Sequence, residues 1–155
     1  MAEPAIAGYT LVPMHLQHLD QVLRIEEKSF PTPWSRYAFS CELMDNDFAR
    51  YYCLLSNDTV IGYMGLWVIL DEAHITNVAI HPEYRNRSLG ELLMREVELR
   101  CQVAGIKRMT LEVRVSNSAA QSLYAKMGFT NAGLRKGYYT DTKEDAIIMW
   151  KDKLD

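Results

Sequence analysis

A chain of 155 residues with 48% hydrophobic and 24% charged side chains has the composition of a globular protein, and its length suits one domain that buries roughly 70% of its unfolded surface. A net charge of −3 argues against nucleic acid or an anionic membrane as the main partner and suits a basic peptide or protein instead. The three cysteines (Cys41, Cys53, Cys101) lie far apart without metal-ligand spacing, which points to free thiols and no metal, while no apolar run is long enough to cross a membrane and Met1-Ala2-Glu3-Pro4 lacks a leader's basic-then-apolar pattern.

Tyr9 to Val12 reads as a first strand that ends near Pro13, followed by a helix to about Lys28 with Leu16, Leu19, Val22 and Leu23 on one face. Phe30-Pro31-Thr32-Pro33-Trp34 cannot continue that helix, because each proline removes a backbone donor and restrains the residue before it. Taken alone, these aromatic residues read as a plug over the core or as a substrate wall, with the plug favoured. Ser35 is placed to cap a second short helix carrying Tyr37, Cys41, Leu43 and Met44. Arg50–Leu55 and Thr59–Leu70 are β-rich runs joined by the turn Ser56-Asn57-Asp58, and Ala73–Ile80 continues the meander.

The stretch 76–94 organises the rest. Val78 and Ile80 end a strand, Pro82 stops it, and Leu89, Leu92, Leu93, Val97 and Cys101 recur at helical spacing as far as about Ala104. A strand feeding a turn with Arg85, Arg87 and Gly90 leaves free N–H groups and a positive dipole end at the helix start, which together suit an anion. An ordinary connection with solvated arginines has the same pattern. Beyond Gly105, Met109, Leu111, Val113 and Val115 alternate with Thr110, Glu112 and Arg114 in a further strand. Asn117 caps a helix bearing Ala120, Leu123, Tyr124 and Met127, which closes at Gly128. Phe129–Leu134 and Asp145–Lys151 read as a last strand pair joined by a loop at Gly137-Tyr138-Tyr139. The class is α/β, antiparallel at first and parallel where helices intervene, over residues 1–155 as one domain.

Glu112 falls on the polar side of an interior strand, where a carboxylate is either paired, for example with Arg108 or Arg114, or at work. Tyr124 has as its plain alternative a core tyrosine with a satisfied hydroxyl, and Asn117 a helix cap. The runs Val78–Gly90, Leu111-Glu112-Val113-Arg114-Val115-Ser116-Asn117 and Leu123-Tyr124-Ala125-Lys126-Met127-Gly128-Phe129 resemble the GNAT superfamily of acetyl-CoA-dependent N-acetyltransferases. Phe30–Ser35, Asp71-Glu72-Ala73, Gly137-Tyr138-Tyr139 and Glu144–Met149 extend the resemblance over nearly the whole chain, and within the superfamily it is strongest to the RimI family, which acetylates the N-terminal alanine of a small-subunit ribosomal protein.

That resemblance implies a mixed sheet of about seven strands, splayed between the fourth and fifth and flanked by about four helices. It implies acetyl-CoA as cosubstrate, held by Val78, Ala79, Ile80, Arg85, Asn86, Arg87, Ser88, Leu89, Gly90, Glu91 and Asn117. Glu112 is implied as general base and Tyr124 as general acid, with Phe30, Pro31, Tyr138 and Tyr139 against a peptide N-terminus. The chemistry needs both groups, since an α-ammonium with a pKa near 7.7–8.0 must lose a proton and a departing thiolate must gain one. Direct transfer in a ternary complex in the cytoplasm is expected over a covalent cysteine carrier, because Cys101 sits on an apolar helix stripe and Cys53 in a β-run. The rival readings are a broader lysine or small-amine acetyltransferase and a CoA-binding module without turnover. One position departs from the family pattern: Ser88 stands where a glycine is usual, offering a hydroxyl donor and a helix cap in place of close backbone approach.

Overall fold

The computed structural model describes residues 8–154 in full and residues 3–6 by their backbone; the Met1-Ala2 start of the leader reading lies outside the described residues. In chain order the elements are β1 (Glu3–Ile6), β2 (Tyr9–Pro13), α1 (Leu19–Ser29, entered through a 3₁₀ turn), α2 (Arg36–Met44), β3 (Ala49–Ser56), β4 (Thr59–Ile69) and β5 (Glu72–Ile80). They continue as α3 (Leu89–Val103), β6 (Arg108–Arg114), α4 (Ser118–Lys126), β7 (Thr130–Tyr139) and β8 (Glu144–Lys151). All eight strands form one sheet in the order β1-β2-β3-β4-β5-β6-β8-β7. Every neighbouring pair is antiparallel except β5 and β6, whose parallel pairing requires the long return through α3.

Seven of these strands and the four helices match the expectation; the eighth is the short β1, which pairs with β2. One boundary is corrected. Gly137-Tyr138-Tyr139 is the end of β7 and not a loop, because the strand continues through it until Tyr139 pairs with Glu144. The face that α2 buries is led by Phe39, whereas Tyr37 and Met44 point outward. Phe39 meets Tyr51 and Tyr63 edge-on, so three rings fill the space beneath α2.

Each face of the sheet carries its own core. Leu54, Met64, Ile75, Leu93, Val97, Leu111 and Val113 lie under α3 and α4. Leu19, Val22, Ile25, Phe39, Cys53 and Tyr63 lie under α1 and α2. Fully burying each such aliphatic or aromatic side chain contributes about 1.5–3 kcal/mol, which fixes both helical layers on the sheet.

Two irregularities in β5 make room for a site. Its pairing with β6 ends at His74 opposite Thr110, so from Ile75 onward the strands separate. At the same level Thr76 is an extra residue with no partner in β4, since Leu66 pairs with Ile75 and Gly65 with Asn77. Such a bulge bends its strand and reverses which face each later residue serves. Ala73 and Ile75 pack toward α3 before it, and Val78 and Ile80 do so after it. Gly65 is needed opposite, because any Cβ there would overlap the Tyr51 ring, whose hydroxyl bonds Thr76 Oγ1 at 3.0 Å.

Candidate active site

Where β5 and β6 part, a cleft of about 590 Å³ opens between β5, the start of α3 and the start of α4. Its walls include Val78, Ala79 and Ile80 from β5, Asn86, Ser88, Leu89, Gly90 and Glu91 from the turn, and Asn117 and Tyr124 from the α4 side. The β5 edge facing the gap keeps its backbone groups without a neighbouring strand, so an extended ligand with amide groups can complete the ladder.

The turn before α3 is built for an anion. Asn86 (φ 64°) and Ser88 (φ 60°) both adopt the left-handed conformation. A left-handed residue followed by helical Leu89 aims consecutive N–H groups into one concavity. The first helical bond runs from Leu92 N–H to the Ser88 carbonyl, leaving the N–H groups of Leu89, Gly90 and Glu91 without an intrahelical acceptor. Gly90 is not forced by packing, since an added Cβ would meet only Leu123 at 3.5 Å, an ordinary contact; the open side is the cleft. These features fit a pyrophosphate. The expected Ser88 cap is corrected: its side chain makes no capping bond, because a left-handed backbone turns it away from the first helical turn.

The arginines divide. Arg85 lines the cleft and ties the turn to its surroundings through bonds to the Ile80 carbonyl (3.0 Å) and Ser29 Oγ (2.9 Å). Arg87 lies outside the cleft lining and over the Tyr84 ring at 5.1 Å. Glu91, held below the usual carboxylate range by Lys126 and Arg95, stays ionised at the cleft mouth, its charge shared with Lys126 Nζ at 2.7 Å. Asn117 caps α4, its Oδ1 accepting from Ala120 N–H at 3.1 Å, and the residue also lines the cleft.

Tyr124 is buried, and burial pushes its phenol up to about 12, so it remains a protonated donor across the physiological range. No side-chain partner holds its hydroxyl among the described residues, unlike Tyr51 and Tyr63. Glu112 sits on the opposite face of β6, outside the cleft lining. Its Oε1 meets His74 Nε2 at 2.6 Å, and its Oε2 lies 3.9 Å from Arg135 Nε. Arg108 and Arg114, the partners that spacing suggested, are engaged elsewhere, with Glu72 and Asp152 and with Asp141 and Glu144.

Two loops meet on the Glu112 side of the sheet. The α1–α2 loop is pinned by the buried Glu26 carboxylate, which accepts from Trp34 N–H at 2.9 Å and from the Tyr63 hydroxyl. Burial raises the Glu26 carboxyl above its usual range, opposed by those two bonds. The β7–β8 hairpin answers with Tyr138 and Tyr139, rings at 90° and 5.1 Å apart, and with Arg114 stacked 4.0 Å over Tyr139. Thr32 Oγ1 donates to Asp141 Oδ2 at 3.2 Å and joins the two loops.

A model of the acetyltransferase (GNAT) family matches residues 19–129. The chain belongs to that family. A Bacillus subtilis protein provisionally named a ribosomal protein bS18-alanine N-acetyltransferase is 47% identical over 88% of this chain and 91% of its own. The crystal structure of the Escherichia coli ribosomal-protein-S18-alanine N-acetyltransferase superposes with a TM-score of 0.84 at 33% identity, covering 92% of each chain. The PaiA N-acetyltransferase of Thermoplasma acidophilum, crystallised with coenzyme A, has a TM-score of 0.73 at 21% identity over 93% of this chain and 98% of that one, a likeness of fold.

Within this GNAT sheet, the expected residues fall into two groups on either side of the gap. Val78–Ile80, Arg85, Asn86, Ser88–Glu91, Asn117 and Tyr124 line the cleft, and Phe30, expected against the peptide, lines it as well. Tyr138 and Tyr139 flank Glu112 on the other side, closely enough that its negative charge helps raise both phenols. Pro31 is exposed on the α1–α2 loop. Sequence reasoning missed His74, Glu26 and Arg135. A histidine between two buried apolar residues of β5 was the available signal for His74, and a glutamate on the apolar side of α1 for Glu26.

Proposed function

We propose that this protein is an acetyl-CoA-dependent N-terminal acetyltransferase that modifies the α-amino group of an N-terminal alanine, with ribosomal protein bS18 as substrate, in the cytoplasm. One arrangement carries the reading. A carboxylate on one face of the sheet and a protonated phenol on the other meet a gap whose strand edge and helix start suit a pantetheine arm and a pyrophosphate. The names of the bacterial relatives supply the substrate.

Acetyl-CoA supplies the acetyl group as a thioester. Val78–Ile80 would hold its amide arm, and the N–H groups of Leu89–Glu91 its pyrophosphate. Glu112 takes a proton from the α-ammonium and frees the lone pair for attack. An open N–H on the β5 edge faces the charge that develops on the carbonyl oxygen. Tyr124 gives its proton to the departing sulfur as the carbon–sulfur bond breaks. Of the two protons the nitrogen loses, one restores Tyr124 and the other leaves through Glu112, for which half-buried His74 offers an exit to solvent. Cysteine carriers fit poorly: burial pushes Cys53 up to about 12 and Cys101 up to about 11, and neither lines the cleft.

The test is turnover of acetyl-CoA with alanine-first peptides, against an N-terminally blocked peptide containing lysine. Glu112→Gln and Tyr124→Phe should each reduce kcat by about 10²–10⁴-fold while the thermal midpoint and acetyl-CoA binding stay near the parent. Preferred turnover of the blocked peptide would move the substrate to a lysine side chain. Parent rates in both variants would remove the assigned acid and base.

A further inference from the structure

On the proposed peptide side of the sheet, Trp34, Ala38, Glu42 and Trp67 line a shallow, open cavity, a surface depression of about 300 Å³. The Trp67 indole meets a carboxylate there, and Trp34 lines the same surface. Glu42 Oε1 accepts from Trp67 Nε1 at 2.6 Å and from the Tyr51 hydroxyl at 3.1 Å, and Oε2 accepts from Asn46 Nδ2 at 2.7 Å. All three donors are neutral, and among the described residues no lysine or arginine forms an ion pair with Glu42. The carboxylates nearer the reacting amine differ: Glu112 has His74, and Asp141 and Glu144 share Arg114. Glu42 is therefore a half-buried negative charge, fixed in place on an aromatic wall, whose cation is not supplied by this chain.

The cavity adjoins the reaction centre. The Trp67 ring stands edge-on to the His74 ring at 6.1 Å, and His74 Nε2 is 2.6 Å from Glu112 Oε1. One imidazole thus separates the cavity from the proposed base. Extended peptide advances about 3.3 Å per residue, so a chain whose amino group reaches Glu112 brings its second or third side chain to Trp67. An apolar side chain placed there would strip water from Glu42 without compensation. An ammonium or guanidinium gains both the carboxylate and the indole faces.

Building on the proposed peptide reaction, we infer that this cavity is a specificity subsite that selects a lysine or arginine at the second or third position of the substrate. Trp34 and Trp67 clasp the aliphatic stem, and Glu42 takes the charge. The acidic balance of the whole chain acts in the same direction at longer range.

The experiment uses alanine-first peptides with lysine, norleucine or glutamate at position two or three, the first two closely matched in apolar stem and the third reversing the charge. For the parent, kcat/KM should favour lysine over norleucine by about tenfold at one of those positions, and glutamate should be the poorest. In Glu42→Gln, which keeps an acceptor for Trp67 and Tyr51, the lysine-to-norleucine ratio should fall toward one. Trp67→Leu should reduce the same ratio. Because each result is a ratio within one protein, partial unfolding or a general loss of rate does not imitate it. Equal ratios in parent and Glu42→Gln overturn the subsite while leaving alanine acetylation standing. Absence of turnover on every alanine-first peptide, with the blocked lysine peptide acetylated, overturns the peptide reading and the subsite with it.

Discussion

Ser88 shows how one side chain can work against its own backbone. A left-handed non-glycine residue costs about 1–2 kcal/mol, and this one recovers nothing through a capping bond. Glycine would remove that strain, less about 0.4–1 kcal/mol for the greater freedom it gives the unfolded chain. Ser88→Gly should therefore raise stability by up to about 1 kcal/mol, seen as a thermal midpoint higher by about 2–4 °C. It should also tighten acetyl-CoA binding by calorimetry while the peptide KM stays put; weaker binding would make the serine hydroxyl a phosphate ligand. His74 offers a second check at this scale. His74→Ala should lower kcat without changing KM for acetyl-CoA, and His74→Gln, which can still donate to Glu112, should restore part of the loss. Equal rates in all three proteins would reduce His74 to a surface residue. The cleft positions of Tyr124 and Asn117 were legible in the sequence because local motifs carry them. The conformation of Ser88 and the partner of Glu112 were not, since one depends on the sign of a dihedral angle and the other on a strand 38 residues away.

Among the elements, the two loops on the Glu112 side of the sheet are the ones proposed to hold a peptide. Glu26→Ala would leave the Tyr63 hydroxyl and Trp34 N–H without their acceptor, at about 1–3 kcal/mol for each buried group left unpaired. A lower thermal midpoint and a higher peptide KM, with KM for acetyl-CoA little changed, are expected; an unchanged peptide KM would detach this loop from the substrate. Tyr139→Ala removes the ring on which Arg114 stacks and should likewise raise the peptide KM alone. Strand and helix positions were well predicted here because hydrophobic periodicity encodes them. The Gly137-Tyr138-Tyr139 segment reads as a loop in the sequence but ends a strand, since glycine beside two tyrosines signals a turn equally well until a partner strand is in view. Trp67 and Glu42 gave no local signal at all: they lie on different elements and meet only after α2 packs on β3.

For the whole molecule, the charged groups that close the peptide side predict an acid limit. Asp141 and Glu144 are both held below their ordinary values of 3.8 and 4.5, Asp141 chiefly by Arg114 and Glu144 chiefly by its bonds to Ser116, with Arg114 adding to them. A carboxylate with a depressed folded pKa contributes stability that is present above its unfolded value and lost as pH falls through the folded one. Amide exchange in the 137–144 hairpin should therefore be independent of this effect from pH 7 down to about 5, and should accelerate beyond its intrinsic pH dependence below about 4. Uniform protection down to pH 3 would show that Arg114 does not hold the hairpin closed.

The extra residue at Thr76 gives β5 two reading frames. Up to Ile75 the odd-numbered side chains serve the α3 layer; from Val78 onward the even-numbered ones do. The strand can thus begin as a structural member and finish as a ligand wall without a break in its pairing to β4. This makes chain length there a coded quantity. Residues added in the β4–β5 turn lie before the change of frame and leave both halves in phase. Deleting Thr76 would abolish the bulge and keep Val78 and Ile80 opposite their present partners, whereas one residue inserted between Asn77 and Val78 would exchange Val78 and Ile80 with Ala79, turning the wall of the cleft toward α1.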